Sequence, residues 1–255
     1  QLSKNRLELF RKKRLTEISK RKGRAVKPST VNRDVSNLRA MLNKALEHAK
    51  IEINPIGRIK LLEENNVRER VLSQDEFESL YLHCPPSLKG IVLIGFYLPM
   101  RQAEILNLTW KEIDLKMGFI RLGGERTKNK IGRNIPLHPR IIKFLRTCLR
   151  PIDGGYVFGN SRRFNRKAYN KAVESAGIAD FNFHDLRHCA INNMRLAGND
   201  HFVIKQASGA KTDSAFQRYN LVTEQEMKSI KWLDEKNGKS GMMDTYMDTS
   251  TKTKM

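Results

Sequence analysis

Apolar positions set the element pattern of this chain before any chemistry is considered. After Pro28 the residues Val31, Val35, Leu38, Leu42, Ala45 and Leu46 recur at helical spacing, which predicts a helix capped by Ser29 or Thr30 and ending near Ile51. The stretch from Gln1 to about Leu62 reads as wholly helical. Asn54-Pro55-Ile56-Gly57 signals a turn, because the residue before proline avoids helical dihedrals. A polar segment, Leu61 to Arg70, reads as an interdomain linker. Beyond it Ser73 and Glu76 have the spacing of a capping box ahead of Phe77 and Leu80. Pro85-Pro86 should end that helix. The apolar run Gly90 to Met100 is too short to span a bilayer, carries Pro99, and is read as a buried helix.

A change of period follows. Phe119-Ile120-Arg121-Leu122 and Asn134-Ile135-Pro136-Leu137 flank a loop rich in Gly, Lys and Asn, and predict a small antiparallel sheet with Lys128 near its turn. Helical patterns resume at about Pro139 to Leu149, Asn165 to Ala176 and Asp185 to Leu196, and again on either side of Tyr219. Thr223 and Glu226 form a second candidate capping box. From Asn237 onward the composition loses periodicity and predicts a disordered tail. The fold class expected is mainly α with a small antiparallel β-sheet, in two domains: a helical unit at 1–62, a linker at 63–69, a mixed α/β unit at 70–235, and a tail at 236–255.

Charge then narrows the partner. Lys and Arg number 48 against 27 Asp and Glu, a formal net charge of +21 over 255 residues, which points to a polyanion. Cys84, Cys148 and Cys189 are odd in number and widely spaced, which argues against a disulfide framework or a zinc site and for a reducing, cytoplasmic setting. The first residues carry no secretory signal pattern and no initiator Met, so the chain is expected to begin inside a longer product. No acidic cluster offers a magnesium site, and no cofactor is expected.

The candidate chemistry lies between Phe183 and Tyr219. His184 and Arg187 are three apart, so a helix places both toward one anion. Guanidinium forks suit the charge that builds on a phosphodiester under attack. Taken singly, however, Arg101 reads as a surface charge paired with Glu104, and Arg187 as a partner of Asp185 or of solvent; only the family motifs named below give them the phosphate role. A phenol is only about a thousandth ionised at neutral pH, so nucleophilic attack by Tyr219 needs a proton acceptor, for which His184 is the candidate. His188, next to Arg187, is read as structural.

Five segments in order, STVNRDVSNLRAMLNKALEHAKIEINP, MRQAEILNLTW, ERTKNKIGRNIPL, FHDLRH and a closing G-A-x8-Y, resemble the tyrosine recombinases of the phage integrase family over nearly the full length. The resemblance implies a helical core-binding domain followed by a catalytic domain, the two closing around duplex DNA. It also implies Arg101, Lys128, His184, Arg187 and Tyr219 as the catalytic set, with Lys128 protonating the leaving 5′ oxygen. Lys130 is the neighbour that could be mistaken for Lys128. Ala210 departs from the family pattern, which has His or Trp there, and Pro99 stands where the family commonly has glycine. Arg11, Lys12, Lys13, Arg14, Arg33, Arg39 and Lys130 are the candidate DNA contacts.

The implied function is site-specific recombination or integration of a mobile element through a 3′-phosphotyrosyl intermediate. The implied partners are double-stranded DNA, three further copies of the chain in a tetramer, and DNA-bending accessory proteins, in a bacterial or phage setting at the nucleoid. Two alternatives stand beside it: a DNA-binding protein of the same fold with weak or lost cleavage, and a DNA-relaxing enzyme of type IB topoisomerase chemistry.

Overall fold

The computed structural model describes residues 2–19, 23–64, 70–126, 132–159 and 163–210, with the backbone of 232–233 and 240–241. The chain divides into two compact units, Gln1–Val67 and Arg68–Met255.

The first unit holds two helices, α1 (Lys4–Thr16) and α2 (Pro28–Glu47). It is not wholly helical as expected. Ile18 and Ala25 form an antiparallel bridge, and residues 48–62 are irregular. The cap of α2 also differs from expectation. Pro28 itself opens the helix behind Lys27, because a proline in the first turn gives up an N–H that has no intrahelical acceptor and already holds a helical φ. The helix stops at Glu47, ahead of Ala49 at φ 52°. Leu7, Val35 and Ile56 form the buried centre, with Leu38, Leu42 and Ile59 packed around them. Asn32 fixes the returning chain, donating to the Leu62 carbonyl (2.8 Å) and accepting from the Leu62 N–H (2.9 Å).

The second unit starts at α3 (Gln74–His83), where the capping box of Ser73 and Glu76 is present in both directions. Pro86 opens α4 (Pro86–Tyr97), whose residues Gly90 to Phe96 are all buried. A helical stretch apolar on every side must lie inside a core, and α4 packs against α3, α5 (Gln102–Leu106), α6 (Pro139–Thr147) and α8 (Asp185–Leu196). Each fully buried Leu, Ile or Phe there contributes about 1.5–3 kcal/mol relative to exposure. At Gly90 a Cβ would stand 2.4 Å from the Phe144 ring and 2.5 Å from that of Phe158, so only glycine lets these rings close on α4.

The sheet has the order β1-β2-β3, all antiparallel. Strands β2 (Phe119–Leu122) and β3 (Arg133–Pro136) match the two predicted, and β1 (Ile113–Asp114) is a short addition. Ile120 pairs with Ile135 and Leu122 with Arg133, and all four are buried. Register therefore puts Arg133 on the inner face, since strand side chains alternate between faces. Helix α7 (Arg166–Ser175) covers α3, and α9 (His201–Ser208) packs on α8 and β3. Inside the stretch expected as a tail, β5 (Ser240–Gly241) pairs with β4 (Trp232–Leu233). The Thr223 and Glu226 capping box lies outside the described residues. No described helix is long and apolar enough to cross a membrane.

Candidate active site

The chain leaves α4 in extended conformation at Leu98 and turns through Pro99 and Met100 to Arg101, which caps α5. Glu104 accepts from the Arg101 backbone N–H (2.7 Å) through Oε2 and from Arg101 Nη1 (2.9 Å) through Oε1. One carboxylate thus closes the helix end and orients the side chain that precedes it. The ion pair weighed from sequence is present, and it does not exhaust the guanidinium: Arg101 Nη2 also donates to the Gly209 carbonyl (3.2 Å).

Arg187 lies in the first turn of α8 and is 5 % exposed. Its Nη1 donates to the Pro99 carbonyl (2.6 Å) and its Nη2 to the Ser208 carbonyl (2.9 Å). A third arginine, Arg133 of β3, donates from Nε to the Ala207 carbonyl (2.9 Å) and from Nη2 to Glu104 Oε2 (2.7 Å). Three consecutive carbonyls at the end of α9 are held by three arginines from different elements. The last carbonyls of a helix have no intrahelical donors and carry the negative end of its dipole, so cations belong there. Gly209 ends α9 at φ 66°, and a Cβ there would lie 3.0 Å from Arg133 Nη1. Glycine meets both demands at once.

Burial works against ionisation of Glu104, yet the hydrogen bonds from Arg133 and from the Arg101 backbone outweigh it and hold the carboxyl below its ordinary 4.5. His184, at the start of α8, is open to solvent on one side and crowded by protein atoms on the others. That desolvation, followed by the charge of Arg187 and then of Arg101, lowers its pKa below 6.5, with Asp185 opposing. His184 caps the helix whose first turn holds Arg187, and Arg187 and Arg101 donate to the adjacent Ser208 and Gly209 carbonyls, which brings the three residues into one neighbourhood. Arg101 is the more exposed of the two arginines predicted for the phosphate, with 28 % of its side chain accessible. Such an array can bind a phosphate oxygen through Arg101 and present a neutral imidazole beside it. Among the described residues, no three His, Cys, Asp or Glu side chains gather as metal ligands.

Of the sequence-predicted site, then, Arg101, His184 and Arg187 lie together, while Lys128, Lys130 and Tyr219 fall outside the described residues. Ala210 is half-buried, packed beside Ile191, Ile204 and Met194. Sequence reading missed Arg133, which strand alternation with Ile135 could have placed on the inner face, and named Glu104 only as a surface partner of Arg101. His188, read as structural, sits one turn beyond His184, with ring centroids 5.6 Å apart.

The candidate DNA contacts of the first unit need one correction. Arg11 is 5 % exposed, donates to Glu8 (2.7 Å) and to the Lys60 carbonyl (2.9 Å), and holds the chain inside the unit, so it is not a surface contact. A long aliphatic stem lets arginine bury while its head still finds oxygen. Arg14 pairs with Glu17 and with Asp34 (3.2 Å). Lys12, Lys13 and Arg33 are exposed, and Arg39 is half-buried.

Residues 70–226 match the model of the phage integrase family. The shufflon-specific DNA recombinase of Escherichia coli is 31 % identical over 216 residues, which cover 82 % of this chain and 55 % of that protein. The integrase of Salmonella phage P22 is 27 % identical over 203 residues, covering 72 % of this chain and 52 % of its own. The chain spans about half the length of these curated relatives. Among solved structures, a lambda integrase (75-356) dimer bound to a COC′ core site is similar with a TM-score of 0.67 at 17 % identity, over 86 % of this chain and 79 % of that one. That likeness is one of fold.

Proposed function

This chain belongs to the phage integrase family, and from that premise we propose that it cleaves and rejoins duplex DNA at specific sites through a 3′-phosphotyrosyl intermediate on Tyr219. The observation that carries this reading is the meeting of Arg101 and Arg187 at the end of α9, within the electrostatic reach of His184. Three groups suited to an attacked phosphate are drawn from two sequence motifs that are far apart in the chain.

In this mechanism the Tyr219 oxygen attacks phosphorus, the P–O5′ bond breaks, and the 3′ end is held as a phosphotyrosyl ester. His184, kept neutral by its surroundings, takes the phenolic proton. Lys128 gives a proton to the departing 5′ oxygen. Arg101 and Arg187 stabilise the extra charge on the non-bridging oxygens, Arg101 by direct donation from its exposed edge. The 5′ hydroxyl of a partner strand then attacks the ester, which restores the phosphodiester and frees Tyr219. The core-binding domain at 1–62 and the catalytic domain at 70–235 both contribute cations to DNA. Exchange between two sites requires a tetramer on DNA, assisted by DNA-bending proteins, and serves integration or excision of a mobile element.

The direct test incubates the chain with nicked duplexes drawn from a pool of randomised sequence and recovers DNA that stays bound in SDS. Covalent adducts from the wild type, and none from Tyr219→Phe, are the expected result. No adduct from any duplex overturns the reading. Ala210 favours a second reading, a DNA-binding protein without cleavage, because an alanine packed against apolar side chains brings no donor to the phosphate.

A further inference from the structure

Arg133 carries a charge for which the mechanism above has no direct use, and it is among the most buried ionised groups described. Its side chain is 2 % exposed and that of its partner Glu104 is 6 %. Desolvating two charges is expensive, and removing one member of such a pair leaves the other uncompensated. Arg133 links three segments at once. Its backbone belongs to β3, five residues after Lys128 in the sequence. Its Nη2 holds Glu104 Oε2, the oxygen that also accepts from the Arg101 backbone N–H. Its Nε holds the Ala207 carbonyl, two residues before the Gly209 carbonyl that Arg101 itself grips.

We propose that Arg133 is a positioning residue for strand cleavage. Through Glu104 it sets the orientation of Arg101 toward the scissile phosphate, and through Ala207 it fixes the end of α9 from which the chain departs toward Tyr219. This rests on the recombinase reading above and deepens it. The guanidinium is required because its planar fork spans two acceptors in different directions, the Ala207 carbonyl and the Glu104 carboxylate. A lysine at 133 keeps the charge but presents a single nitrogen, so it serves one acceptor at the expense of the other. Gly209 reinforces the arrangement: its missing Cβ gives the Arg133 guanidinium room to lie against the turn.

Three forms of the full chain test this: the wild type, Arg133→Lys, and the double variant Arg133→Met with Glu104→Gln, which removes both buried charges together and so leaves neither charge uncompensated. The probe is the nicked duplex that the wild type captures from the randomised pool. Both variants are expected to bind that duplex within about twofold of the wild type and to form adduct about 10²-fold more slowly at saturating DNA, the loss that follows a misplacement of roughly 1 Å in a catalytic group. In an Arg101→Lys background, Arg133→Lys should add little further loss, because its effect passes through the group already altered. A merely structural arginine would give independent, multiplying losses in that cycle.

Adduct formation within twofold of the wild type in either variant overturns the proposal, as does a loss that rising DNA concentration fully restores. If Arg133→Lys fails to fold, the double variant supplies the same comparison. Failure of the wild type itself to form adduct on any duplex is a different result and removes the recombinase reading on which the proposal stands.

Discussion

Arg101 and Arg187 arise from separate elements, yet they donate to neighbouring carbonyls, those of Gly209 and Ser208, at one end of α9. Their guanidiniums are thereby fixed before any substrate arrives. Preorganised donors are the form of electrostatic catalysis that needs no rearrangement at the moment of reaction.

Truncating Arg101 should therefore slow cleavage without unfolding the chain. Arg101→Ala is expected to lower adduct formation on a nicked duplex by about 10² to 10³-fold, the usual loss for one such donor. Its thermal midpoint should stay near that of the wild type, since Arg101 is the partly exposed member of the cluster. Equal adduct rates for the two proteins would remove Arg101 from the phosphate.

Arg187 answers differently because it is buried. Arg187→Met leaves the Pro99 and Ser208 carbonyls without this donor, at about 1–3 kcal/mol for each buried group left unsatisfied. Urea unfolding should show a lower midpoint with an unchanged slope. A variant as stable as the wild type would mean that neither bond contributes.

The pKa of His184 is lowered by crowding and by two arginines, so the sign of its pH effect is fixed. In the unfolded chain the imidazole takes a proton near 6.5, whereas in the folded chain it stays neutral to lower pH; stability falls as pH drops through that window, and the neutral base persists below 6.5. The acid limb of cleavage at subsaturating DNA is expected below 6.5, and His184→Gln should abolish that limb while lowering the rate about 10² to 10⁴-fold. A limb at or above 6.5 in the free enzyme would contradict this.

Glu104 gives the opposite end of the acid range. Its folded pKa lies below 4.5, so its contribution is complete above the unfolded value and is lost as pH falls through the folded one. At neutral pH Glu104→Gln should destabilise by about 3–5 kcal/mol, because Arg133 loses its counter-charge. The gap between the thermal midpoints of variant and wild type should narrow as pH falls below about 4.3. A constant gap from pH 7 to pH 3 would show that the carboxylate's charge is not what matters.

Salt dependence separates the cations of the first unit. The exposed Lys12 and Lys13, replaced together by alanine, should reduce the slope of log K against log salt by about 0.9 for every phosphate that they neutralise in the wild type. Arg11→Met should leave that slope unchanged and lower stability instead, because Arg11 is committed to Glu8 and the Lys60 carbonyl. Reversed outcomes would place Arg11 on the DNA surface.

Local rules made much of this protein legible in its sequence. The capping box at Ser73 and Glu76, the break at Pro85-Pro86, the apolar run of α4 and the paired strands β2 and β3 follow from spacing and from proline chemistry, which act over a few residues. Arg101, His184 and Arg187 were visible for the same reason, each lying in a short motif of recognisable composition. Tertiary structure alone decided which charges face inward. Arg11 reads as a surface cation along the chain and Arg133 has no role assigned there, but Arg11 finds its carbonyl on residue 60 and Arg133 finds its acceptors on residues 104 and 207. A charge is buried only where distant oxygens converge to replace its water, and that convergence is a property of the folded chain.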